Sequence, residues 1–157
     1  MAANIGDTSR TGTVVIAGQS FSVSQAANTL TPPPPTILTE ENTERAIALD
    51  SVTLMRDPFP IVTRQNFSLD GHTRIMLFAV NLNLMTGEDA SIVTAQAEDS
   101  QQRIFPLVVE FVGKVPGFDW LTQVNLKLPD DLTNAGDIGV RIHLRNTASN
   151  RAIVAIR

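Results

Sequence analysis

The chain has 157 residues, of which 43% are apolar, 18% charged and 5% aromatic, with 12 basic against 16 acidic side chains and a net charge of −4. A chain of this length buries roughly 68–70% of its unfolded surface in one small core, and its apolar runs, such as residues 75–80, fall far short of the ~18 residues a membrane-spanning helix needs. Singly scattered charges of net negative sign exclude the clustered positive surface that nucleic acid requires, and the lack of cysteine excludes disulfides, thiolate metal sites and thiol catalysis.

In chain order, residues 2–7 show neither the basic start nor the apolar stretch of a signal peptide, so any export signal is expected outside the sequence given. Residues 11–25 hold two β-prone runs around Ala17-Gly18-Gln19, in which Phe21 and Val23 alternate with Ser20, Ser22 and Ser24. This pattern predicts a β-hairpin whose apolar face carries Val14, Ile16, Phe21 and Val23. Residues 27–43 contain Pro32-Pro33-Pro34-Pro35 among Thr, Asn and Glu, a composition that reads as a semi-stiff spacer with no core of its own. The expected organisation is a hairpin over residues 1–26, the spacer over 27–43 and one domain over 44–157.

From residue 45 onward the dominant period is two. Trp120, Val124, Leu126 and Leu128 fall on one face of a strand and Gln123, Asn125 and Lys127 on the other, and Ile138, Val140, Ile142 and Leu144 alternate in the same way with Arg141, His143 and Arg145. Residues 75–80 are apolar on both faces, as in a central strand. Further strands are expected at 46–54, 92–97, 104–112 and 152–156, divided by Asp70-Gly71, Thr86-Gly87, Pro116-Gly117, Pro129-Asp130 and Ala135-Gly136. About seven strands with a single helical turn near 129–134 predict an all-β chain, an antiparallel sandwich of immunoglobulin type. Its core is expected to contain Leu77, Phe78, Val109, Phe111, Val124, Leu126, Val140 and Ile142.

The chemistry available to such a domain is thin. Tyrosine is absent and the two histidines are placed, by pattern, on a polar sheet face (His143) and in a turn (His72). The pairs Glu40-Glu41, Glu88-Asp89, Glu98-Asp99 and Asp130-Asp131 supply oxygens for calcium, but adjacent strand residues point to opposite faces and no Asp-x-Asp-x-Asp-Gly loop is present, so no metal is expected. Asn66-Phe67-Ser68 matches a glycosylation triplet, which one chance occurrence explains. No catalytic residue and no cofactor follow from these residues. Phe118 and Trp120 flank Asp119 beside a Pro-Gly turn. Trp120 is expected between the sheets and Phe118 over an open edge, the competing reading being an exposed aromatic tip that touches a sugar or a protein.

The run from Pro106 to Pro129, with its Pro116-Gly117-Phe118 turn, Gln123-Val124-Asn125 strand and Leu128-Pro129 turn, followed by Ala135-Gly136-Asp137 and Ser149-Asn150, resembles the immunoglobulin-like C-terminal module of large surface or secreted proteins of Acidobacteria-type bacteria. The likeness covers residues 44–157. Asn4, then Ser9-Arg10-Thr11-Gly12-Thr13 and Ala17-Gly18-Gln19-Ser20-Phe21-Ser22-Val23-Ser24-Gln25, resembles the last strands of a BACON module. These resemblances imply an extracellular or cell-surface module without catalytic residues. Because a two-stranded hairpin needs a partner sheet, the expected partners are proteins, other copies of the chain among them, reached by strand donation from the hairpin into a filament, with folding back onto the chain's own sandwich as the competing arrangement. A carbohydrate-binding or enzyme-accessory module is the alternative.

Overall fold

The computed structural model describes residues 8–16, 18–26, 32–65 and 68–157, with the backbone alone at Ile16. The described chain forms two compact units, divided after Pro32.

In the first unit, β1 (Arg10–Ile16) and β2 (Gln19–Gln25) form an antiparallel two-stranded sheet. Seven residue pairs run without a register break from Ile16↔Gln19 at the turn to Arg10↔Gln25 at the open end.

The second unit is built of β3 (Thr36–Ile37), β4 (Ala48–Asp50), β5 (Arg74–Val80), β6 (Val93–Glu98), β7 (Ile104–Val115), β8 (Phe118–Lys127), β9 (Gly136–Leu144), β10 (Thr147–Ala148) and β11 (Ala152–Ile156). All seven strands expected from residue 45 onward are present, and the turn after Pro129 is a short 3-10 segment, Asp130–Leu132. A second such turn, Ala90–Ile92, is capped by the Asp89 carboxylate on Ser91 N–H. The long strand β7 joins two sheets: residues 104–107 pair with β6, and residues 108–115 pair with β8. The order β3/β4–β5–β8–β7 opposite β6–β9–β11 matches the A-B-E-D and C-F-G sheets of an immunoglobulin-type sandwich. The last strand is held on both sides. β9 pairs with one side of β11, while Ala46 N–H, Phe59 N–H and Glu44 C=O bond the other.

Leu77, Val124, Leu126, Val140 and Ile142 are fully buried between the sheets, and Val109 packs against them in part. Three expectations need correction. Phe78 sits on the outer face of β5, opposite Gln123, and is half-buried. Phe111 is 45% exposed. Its strand carries a β-bulge at Glu110: Val109 faces Leu126, but the next paired residue, Phe111, faces Asn125, so one extra residue flips the phase. The ring then lies over Gly113, where an added Cβ would meet Phe111 Cζ at 2.5 Å. Arg74 clamps the bulge through paired bonds of 2.9 Å from Nε and Nη2 to the Glu110 carboxylate.

The third correction is the spacer. The sandwich begins inside the stretch assigned to it, because Pro35 and Ile37 are buried and Leu38 N–H bonds Phe78 C=O. Asn150 fixes this entry by accepting Ile37 N–H at 2.7 Å and donating to Ile37 C=O at 3.1 Å. Its neighbour Ser149 takes Ile142 N–H on its hydroxyl at 3.0 Å where β10 leaves β9. The Ser-Asn pair therefore has two structural tasks.

Candidate functional site

In the hairpin turn Gly18 takes a positive φ of 78° that glycine adopts without strain. Opposed residues of a ladder share a face. The register Val14↔Phe21, Gly12↔Val23 and Ile16↔Gln19 therefore places the Cα positions of all four expected residues, Val14, Ile16, Phe21 and Val23, on one side. Thr11, Thr13, Val15, Ser20, Ser22 and Ser24 line the other, where Thr11 and Ser24 hydroxyls bond at 3.0 Å. Phe21 is 48% and Val14 38% exposed, and Val23 is half-buried. Among the described residues no third strand pairs with β1 or β2.

The face has relief. Gly12 leaves a dent of about 130 Å³ bordered by Arg10, Thr11, Val23 and Gln25, and a Cβ built at Gly12 would meet no atom within 4 Å. The Arg10 guanidinium closes the open end by donating to Gln25 Oε1 at 2.7 Å. Arg10 is the one charged residue in the two strands. The sequence signal for this dent is Gly12 itself, since a glycine inside a strand marks a bulge or a close approach by another group.

At the other candidate, Pro116-Gly117 turns β7 into β8, with Gly117 at φ 83°. Trp120 is not between the sheets. It is 59% exposed, and Phe118 50%. The buried side of β8 begins at Thr122, opposite Ala79, and β5 ends one residue further on at Val80, so β5 does not run beside the β8 residues before Leu121. The two rings meet edge to face, 6.0 Å apart at 88°.

At least one carboxylate of each acidic pair is drawn into an ion pair or a cap. Glu98 pairs with Arg141, Glu40 with Arg56 and Asp130 with His72. Bonds from Arg145 and from Met85 N–H hold the Glu88 carboxyl below its usual range. Burial would raise the Asp99 carboxyl, but bonds from the Arg103 and Gln101 backbones and the Arg103 guanidinium outweigh it and lower it. Arg74 and then Lys127 hold Asp70 well below the carboxylate range. Among the described residues no three His, Asp or Glu side chains gather as metal ligands. Asn4, residues 27–31, the Ile16 side chain and the Asn66-Phe67 pair of the glycosylation triplet lie outside the described residues.

No protein-family model matches the chain, and no curated protein or solved structure is found similar to it. The likeness to surface modules rests on the sequence motifs alone.

Proposed function

We propose that the chain is a non-catalytic structural or interaction module of the cell exterior, and that its N-terminal hairpin is the assembling element, with other copies of the chain as partners. The observation that carries this is a separate two-stranded unit whose apolar face stays half exposed. A lone hairpin is marginal in water, and one with such a face gains stability only by covering it. The extracellular setting comes from the motif resemblance.

Strand donation into a filament requires an open edge on the receiving sandwich. The strand β7 offers one, since each of its paired residues ladders to a single neighbour. That edge carries the Glu110 bulge and a charged residue, Lys114, opposite buried Thr122, two features that blunt an edge against addition. The carbohydrate-binding alternative draws support from the exposure of Phe118 and Trp120. Perpendicular rings, however, offer no flat platform for a sugar.

Light scattering on the intact chain and on a chain lacking residues 1–30 tests the proposal. Self-association that disappears with the hairpin supports it, and equal masses refute it.

A further inference from the structure

Building on the assembling role proposed for the hairpin, we infer that its partner is the hairpin of a second copy, packed apolar face to apolar face in a closed two-fold dimer. The face is self-complementary. It bears a knob, Phe21, and a dent at Gly12, in adjacent ladder rows: Phe21 pairs with Val14, and Gly12 pairs with Val23. These rows lie about 6.8 Å apart along the strands. A two-fold axis lying between the two faces, perpendicular to the diagonal from Phe21 to Gly12, sets each Phe21 over the other copy's Gly12, with the two hairpins crossed. The dent of about 130 Å³ is close to the ~150 Å³ cavity known to accept a benzene ring.

Charge points the same way. The chain has 16 acidic and 12 basic residues, but the hairpin strands contain none of the acids and only Arg10 of the bases. Contact between two hairpin faces therefore brings no strand carboxylate of one copy against a carboxylate of the other. An isologous contact of this kind uses the same patch on both copies and stops at two. Head-to-tail donation to a sheet edge would instead continue into filaments. Strands of seven residues span only ~23 Å, so the contact buries less than the ~1,200–2,000 Å² of a standard interface and is concentration-dependent.

The test is sedimentation equilibrium of the full chain from ~10 µM to ~1 mM, a range set by an interface of this small size. The mass is expected to climb from 17.0 kDa toward about twice that value and to stop there. Gly12→Leu puts a side chain into the dent, its Cβ clear of every atom within 4 Å, and Phe21→Ala removes the knob. Both are expected to stay monomeric with an unchanged strand signal in circular dichroism. Ser22→Leu, on the opposite face, is expected to dimerise as the parent does. A parent chain monomeric throughout overturns the assembling role itself. Growth beyond two copies, or dimerisation of Gly12→Leu, overturns the hairpin-to-hairpin seat. In that case loss of assembly in Phe21→Ala leaves the assembling role standing.

Discussion

Replacing Phe111 and Leu126 by alanine in separate variants measures the bulge at Glu110. With unbroken alternation Phe111 would be a core residue, and its truncation would cost ~3–5 kcal/mol. In the structure the ring is 45% exposed. A fully buried phenylalanine hides ~150–250 Å², so the part removed from water here is about 80–140 Å², or roughly 2–3 kcal/mol at ~25 cal/mol/Å². Compaction of the unfolded chain takes off ~10–40%, and alanine keeps the Cβ contacts, which leaves about 1–2 kcal/mol. Leu126 is fully buried opposite Val109 and Ile75, and its truncation also leaves a cavity, so about 3–4 kcal/mol is expected. Urea unfolding with unchanged m-values reads both differences. If Phe111→Ala costs as much as Leu126→Ala, the phase of β7 beyond Glu110 is wrong and the bulge does not exist.

Further outcomes follow from the same contacts. Asn150→Ala removes both bonds to Ile37 and is expected to cost about 1–3 kcal/mol, read as a lower urea midpoint. The carboxyls of Asp70, Glu88 and Asp99 are lowered in the folded chain, so their contribution is complete above the unfolded carboxylate pKa of ~4 and is lost as pH falls below it. Melting temperature should therefore drop between about pH 5 and pH 2, and less steeply in Asp70→Asn; an equal slope in that variant refutes the role of Asp70. The single tryptophan, Trp120, is expected to emit as a water-exposed indole and to be quenched freely by acrylamide, whereas a blue-shifted, protected emission would put it back between the sheets.

Alternation made the strands legible because one face of each packs and the other is wet: Val124, Leu126, Val140 and Ile142 needed only a period of two to be placed. Phe111 escaped that logic because a bulge inserts one residue without leaving a mark in the composition. Trp120 escaped because its position is set by where β5 ends, which depends on pairing far away in sequence. Phe59, fully buried and bonded to β11 through Ala155 and Arg157, sits between two prolines in a stretch with no period to read. At the hairpin, Phe21 and Val23 are legible from the Ser-x-Ser alternation. The dent at Gly12 is not, because a missing side chain matters only once its cross-strand partner Val23 is known.

The central claim is that the hairpin holds copies of the chain together. Light scattering at rising concentration on the intact chain and on residues 33–157, the second compact unit, tests it most directly. The intact chain is expected to gain mass with concentration while the shorter one stays monomeric throughout. Equal masses at every concentration would contradict it.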